Sequence, residues 1–202
     1  MEVKQRIIEG AGNLFFSRGI RRVTMDDLAG ELGMSKRTIY EHFSDKTELL
    51  LAMQSHFQQE HERYMRELLK SSEHVMEVII AILQHGLEAI NKINPLYLED
   101  LRKFYPEIWE ENIKKGRESN QQQMQELLER GKKEGLFRPD INSKLVARIF
   151  YEHINLMHSD EAFPKDEFPR KELFENMFLN FARGISTFKG MEVLEELLKN
   201  ED

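Results

Sequence analysis

Lys36, Arg37, Tyr40 and Glu41 stand at positions i, i+1, i+4 and i+5, which cluster on one side of a helix. Two cations and a phenol displayed together supply donors for phosphate oxygens. The planar arginine fork can also span the O6 and N7 acceptors of guanine. Ile39 and Phe43 of the same short stretch fall on the opposite, inward side. The face alone leaves two readings open, contact with DNA and ordinary solvated charge. Other chemistries find less material. His56 and His61, like His153 and His158, are five apart rather than the i,i+4 of a helical zinc pair, and no HExxH accompanies them. There is no P-loop, dinucleotide fingerprint or G-x-S-x-G elbow. The absence of cysteine removes disulfides, thiolate zinc sites and cysteine nucleophiles. We therefore expect no cofactor, no metal and no enzymatic activity.

The elements around that face read as helices opened by caps. Val3, Ile7, Ala11 and Leu14 step at three and four residues, and Gly19 after Arg18 is a left-handed C-cap candidate. Thr24 is a good N-cap with Asp27 at N3, and Asp26 and Asp27 suit the positive end of a helix. Met25, Leu28, Ala29 and Leu32 supply its buried stripe, and Gly33 ends it. Ser35 caps the next helix after a turn of about three residues, the length expected of a helix-turn-helix. Asp45 and Glu48 form a D-x-x-E box that launches a long helix with Leu50, Met53, Phe57, His61, Tyr64 and Leu68 on one stripe.

Net charge is −7 over 202 residues. Residues 1–50 hold eight basic groups (Lys4, Arg6, Arg18, Arg21, Arg22, Lys36, Arg37, Lys46) and eight acidic ones (Glu2, Glu9, Asp26, Asp27, Glu31, Glu41, Asp45, Glu48), so the whole deficit falls on residues 51–202. A neutral N-terminal segment on an acidic remainder fits contact with a polyanion at one end only. No apolar run approaches the roughly 20 residues of a membrane helix, and the N-terminus lacks the apolar core and cleavage site of a signal peptide. The expectation is a soluble, cytoplasmic protein with no membrane partner.

Helix signals also dominate the rest. Val75, Ile79, Leu83, Leu87 and Ile90 mark an apolar helix with Gly86 inside it, stopped at Asn94-Pro95. Leu96–Tyr105 is a short segment before Pro106, and a long helix from about Glu107 to Glu134 follows. Its polar middle, Lys114 to Gln123, predicts exposure or a local break. After a link through Pro139, Leu145, Ile149, Phe150, Ile154 and Met157 form another helix, and Ser159–Arg170 reads as a mobile loop. Leu173, Phe174, Met177, Phe178, Phe181, Ile185 and Phe188 make a helix too apolar for a monomer's surface, with Gly184 permitting close approach. Met191 to Lys199 forms a last short helix. The fold class is all-α.

Residues 1–50 resemble the N-terminal domain of TetR-type (tetracycline repressor-like) transcriptional regulators. The resemblance rests on Arg18-Gly19, Thr24, Leu28-Ala29, Gly33-Met34-Ser35, Thr38-Ile39-Tyr40-Glu41-His42-Phe43, Lys46 and Leu49-Leu50. Weaker echoes are Gly135-Leu136-Phe137-Arg138-Pro139-Asp140 and Gly184. The resemblance implies a three-helix helix-turn-helix DNA-binding domain at 1–46 and a larger helical ligand-binding and dimerisation domain at 47–202. The fourth helix would be the connecting arm, and the eighth and ninth helices of two protomers would pack as a four-helix bundle.

Carried over residue by residue, the resemblance gives Thr24 a phosphate, reached by its hydroxyl and backbone N–H. Lys36, Arg37 and Thr38 would reach base edges or nearby backbone, with Arg37 as guanine reader. Tyr40, His42 and Lys46 would contact phosphates. Glu41 departs from the family pattern, where an aromatic residue is frequent; it either accepts from a cytosine amino group or points away. Phe57, His61, Tyr64, His85, Phe104, Trp109 and Phe150 are candidates to line a pocket for an apolar or aromatic small-molecule effector. Phe174, Phe178, Phe181 and Ile185 are candidates for the homodimer interface. The expected function is a repressor that binds a palindromic operator in double-stranded DNA as a homodimer and is released by its effector. The competing reading is a helical interaction protein, or an activator, that works through protein partners; such a protein has no need of a cationic face at Lys36, Arg37 and Tyr40.

Overall fold

The computed structural model describes residues 2–157, 162–164 and 166–199, apart from the side chains at 83, 87, 89–91, 112–115, 117, 155, 157 and 170. Ten helices account for most of them: α1 Val3–Arg18, α2 Met25–Leu32, α3 Lys36–His42, α4 Lys46–Ser71, α5 Val75–Lys92, α6 Pro95–Phe104, α7 Pro106–Lys133, α8 Ser143–Met157, α9 Arg170–Ile185 and α10 Phe188–Lys199. Among the described residues the only extended pairing is an isolated antiparallel bridge between Phe137 and Ser186. His158 and most of the start of the expected 159–170 loop lie outside the described residues. In its described part, the Phe168 N–H donates to the Pro164 carbonyl at 2.9 Å.

Contacts divide the chain into two compact units, residues 1–67 with 91–112 and residues 68–90 with 113–202. This differs from the expected boundary at 46/47, because α6 and the start of α7 pack with α1–α3 and most of α4. In the first unit α1 packs on α2 and α6, and α2 packs on α3. Ile7, Ala11, Phe15, Ile20, Leu28, Ile39, Phe43, Leu49, Leu50 and Met53 form a core with at most 1 % exposure each, and Tyr97, Leu101 and Ile108 close it. The apolar stripe of α4 departs from the expected one beyond Phe57: Met65 is buried whereas Tyr64 is exposed.

In the second unit α8 packs on α9. Phe178 stands between Phe150 and Phe174, with ring centroids 4.8 and 4.3 Å away. Phe174 also lies against Gly86, where a Cβ would meet its ring at 3.2 Å. Thus the close neighbour that the α5 glycine admits is an aromatic side chain of α9. The Leu83, Leu87 and Ile90 side chains of the α5 stripe lie outside the described residues. α7 is continuous through Lys114–Gln123, so the polar middle brings no break.

Arg130 and Glu134 fasten the α4–α5 corner. Glu134 accepts the Val75 N–H at 2.9 Å, and the Arg130 guanidinium donates to the carbonyls of Leu69, Ser72 and Glu73. The 135–140 link is similarly tied down. Arg138 donates to the Gly184 carbonyl at 3.2 Å and its backbone N–H to the Ile185 carbonyl at 2.9 Å, which satisfies the end of α9. α9 stops at Ile185, so Phe188 belongs to α10 and is 93 % exposed rather than part of the α9 stripe. α10 begins three residues earlier than Met191, with the Thr187 hydroxyl accepting the Gly190 N–H at 3.1 Å.

Candidate DNA-binding surface

α2 is an eight-residue helix, too short to persist alone, and its start is held by a reciprocal capping box. The Thr24 hydroxyl accepts the Asp27 N–H at 3.1 Å. The Asp27 carboxylate in turn accepts the Thr24 N–H at 2.8 Å and the Thr24 hydroxyl at 2.7 Å. These bonds hold the Asp27 carboxyl below its ordinary pKa, the side-chain bond from Thr24 being the larger cause. Both donors expected to meet a phosphate are therefore engaged within the chain. Thr24 thus caps α2.

At the other end of α2, Gly33 adopts φ 61° and ψ 33°, a left-handed geometry that costs glycine nothing. The chain then turns within Gly33-Met34-Ser35, and the Ser35 hydroxyl accepts the Thr38 N–H at 3.1 Å to cap α3. Ile39, with no exposed surface, anchors α3 to the core. That anchor turns Lys36, Arg37, Tyr40 and Glu41 outward, all exposed. Thr38 and His42 are half-buried at the flanks of the face.

The charges on this surface are matched. Lys36 lies 2.8 Å from the Asp26 carboxylate, which raises the lysine's pKa chiefly through their hydrogen bond. Arg37 Nε lies 2.9 Å from Glu41 Oε1, one helical turn on. Neither pairing was foreseen, although the i,i+4 spacing of Arg37 and Glu41 was there to be read. Lys46, at the start of α4, is half-buried with its ammonium 5.8 Å from the centre of the Phe15 ring. Burial lowers its pKa, and the carboxylates of Asp100 and Asp27 offset part of that effect. The expected Asp45–Glu48 box forms in a shifted way. Asp45 accepts the Glu48 N–H at 2.8 Å, but Glu48 reaches back to the N–H and hydroxyl of Ser44 rather than to Asp45.

Behind the surface, α6 is fastened to the end of α1 by hydrogen bonds that no periodicity announces. The Asn94 N–H and side-chain amide donate to the Phe16 and Ser17 carbonyls at 2.7 and 2.9 Å. Asp100 accepts the Arg21 N–H at 2.7 Å. Gly19, at φ 85°, permits this approach, since a Cβ there would lie 3.0 Å from the Asp100 carboxylate and 3.1 Å from Leu96.

The family described as "Bacterial regulatory proteins, tetR family" matches residues 7–53, from the buried Ile7 through the turn and α3 to the buried Met53. Residues 7–53 thus carry the TetR-family N-terminal domain. Over 190 residues, 90 % of this chain and 95 % of its relative, it is 29 % identical to the HTH-type transcriptional regulator YvaF of Bacillus subtilis. It is 24 % identical over 146 residues, 71 % of this chain and 73 % of the other, to the HTH-type transcriptional repressor KstR2 of Mycobacterium tuberculosis. The solved structure of KstR2, a ketosteroid transcriptional regulator, superposes at a TM-score of 0.57, with 20 % identity over 92 % of this chain and 96 % of that one. A TetR-family regulator from Agrobacterium tumefaciens superposes at 0.72, with 18 % identity over 91 % and 97 % of the two chains. The fold is all-helical, and the relatives that cover most of the chain are transcriptional regulators.

The effector candidates are divided between the two units. Phe57, His61, Tyr64, Phe104 and Trp109 belong to the first unit, and His85 and Phe150 to the second. Phe57 packs on Phe16, with ring centroids 5.2 Å apart, and against Gly12, so it is core of the first unit along with Trp109. Phe104 is exposed beneath the Arg21 guanidinium, 4.7 Å from its ring centre. His61 is half-buried, Tyr64 and His85 are exposed, and Phe150 is buried against Phe178 and Phe181. The interface candidates need a correction. Phe174, Phe178 and Ile185 are only 5, 2 and 6 % exposed within the single chain, so they hold the second unit together and offer no surface to a partner. Phe181 is half-buried. On α8, the apolar side chains of Leu145, Ile149 and Leu156 are exposed. Their spacing of four and seven residues puts them on one side of that helix.

Proposed function

We propose that the protein is a repressor that binds a palindromic operator as a homodimer and releases it when a small apolar or aromatic effector binds. The observation that carries the DNA reading is the outward set Lys36, Arg37 and Tyr40 on a helix fixed in register by buried Ile39. α3 would lie in the major groove with Arg37 on a guanine, Tyr40 and His42 on flanking phosphates and Lys46 on the backbone beside the groove. The amides at the start of α2 would take a further phosphate. Two copies would be needed to span half-sites about 34–36 Å apart. The exposed Leu145, Ile149 and Leu156 on α8 support an apolar contact between copies. An apolar effector is supported by the aromatic content of both units, and the relative KstR2 carries ketosteroid in its description. Among the described residues no helix is long and apolar enough to cross a membrane, which agrees with action in the cytoplasm.

The test is selection of duplexes from a randomised DNA pool by the purified protein, with sedimentation to give its mass. Recovery of an inverted repeat by a dimer is expected. A pool that stays random at moderate salt would overturn the operator reading, and a monomer at micromolar concentration would overturn the dimer.

A further inference from the structure

Glu41 sits where a carboxylate works against DNA binding, on the outward face of α3 between Arg37 and the last turn. Helix stability does not explain it. The acid lies C-terminal to its arginine, the weaker of the two i,i+4 orientations, and both side chains are largely in water. What the pair does is geometric. Glu41 takes the Nε of Arg37 at 2.9 Å, and no other hydrogen bond of Arg37 is found among the described residues. A guanidinium whose Nε is engaged still has its two terminal Nη groups, side by side in one plane, to offer to a further partner. Such a pair of donors can meet both guanine acceptors at once.

The same carboxylate changes how the surface meets DNA of any other sequence. Asp26 of α2 offsets Lys36 and Glu41 offsets Arg37, so these four side chains together bring no net positive charge to the phosphates. Sequence-independent binding draws almost entirely on such charge. A register that offers Arg37 a phosphate instead of a guanine also brings the Glu41 carboxylate toward that phosphate.

We propose that Glu41 is a positioning residue for specificity: through Nε it orients Arg37 for a guanine, and its charge penalises every other register. This inference rests on the operator reading above. The oriented fork favours the right base pair, and the carboxylate disfavours the wrong ones. Discrimination therefore exceeds what an unrestrained arginine would give.

The experiment begins with duplex selection by the wild-type protein and by Arg37→Ala, which locates the base pair that Arg37 reads. Wild type, Glu41→Ala and Glu41→Gln are then titrated by fluorescence anisotropy against the operator, the operator with that base pair exchanged, and a scrambled duplex, each at two salt concentrations. Circular dichroism melting accompanies each variant. Glu41→Ala should bind the scrambled duplex more tightly and lose about tenfold of its preference for the Arg37 base pair. Glu41→Gln keeps an acceptor for Nε without the charge, so it should retain that preference while still tightening on scrambled DNA. The proposal is overturned if Glu41→Ala keeps the full base preference, or if it tightens all three duplexes by the same factor. It is also overturned if the Arg37→Ala selection matches the wild-type one, an outcome that leaves the operator reading intact. A wild-type protein that selects no sequence overturns both.

Discussion

Replacing Thr24 by alanine removes two of the three bonds in the α2 capping box and leaves the third. The Asp27 N–H loses its acceptor and the Asp27 carboxylate loses the hydroxyl at 2.7 Å, whereas the backbone N–H of residue 24 still reaches Asp27. Loss of a Thr cap of this kind costs about 1 kcal/mol, within a range of roughly 0.5–2. That is about a fivefold rise in the open population of α2. Hydrogen exchange at the α2 amides, read by NMR beside urea unfolding, should show the change, and Thr24→Ser should restore wild-type behaviour. The pH dependence has a definite sign. Asp27 is held below its ordinary pKa by Thr24, so its part in the box is complete above the usual aspartate range and is lost as pH falls through the lowered value. The gap between wild type and Thr24→Ala should be widest near neutrality and narrow in acid. If exchange and unfolding are unchanged while operator affinity falls, the hydroxyl binds DNA and the capping argument is wrong.

Lys46→Ala should weaken operator and scrambled duplexes alike and reduce the slope of log K against log salt by about one, as measured by anisotropy titrations. Gly190→Ala should destabilise the second unit by about 1–3 kcal/mol despite alanine's helix preference, because the new Cβ would fall on the backbone carbonyl of Leu136; urea unfolding reports it. Gly184 on α9 is exposed, with open space where a side chain would begin, so Gly184→Leu should leave the protomer's unfolding midpoint within about 0.5 kcal/mol of wild type. If copies pack closely along α9, the same substitution shifts sedimentation toward monomer. Glu134→Ala leaves the Val75 N–H without its acceptor and removes the ion pair with Arg130, and should cost about 1–3 kcal/mol in thermal or urea unfolding.

What could be read in the residues was local. Thr24 with Asp27, Gly33 and Ser35 report their roles through their own side chains and backbone freedom, and each stands where the caps and turn were expected. Apolar spacing identified α9 correctly but not what its aromatic residues touch. Phe174 and Phe178 look the same in a sequence whether they meet α5 and α8 of their own chain or a second copy. Tyr64 and Met65 are neighbours on a helix stripe, and only packing chooses which of them is buried. The pairing of Lys36 with Asp26 crosses the turn, and the attachment of α6 runs through Asn94, Asp100 and backbone carbonyls of α1. Neither leaves a periodic trace, and the second is why the boundary at 46/47 differs from the division found.

The attachment of α6 to α1 bears on how the nascent chain matures. The first unit draws on residues up to 112, although the helix-turn-helix itself is complete at His42. At a synthesis rate of roughly 5–20 residues per second, the stretch from 68 to 112 takes about 2–9 s to emerge. For that interval the surfaces of Phe16, Gly19 and Ser17 that receive α6 stand open to water and to chaperones. A ribosome paused within α5 would therefore display a DNA-reading motif whose core lacks Tyr97 and Leu101, and release of α6 would be the event that closes it.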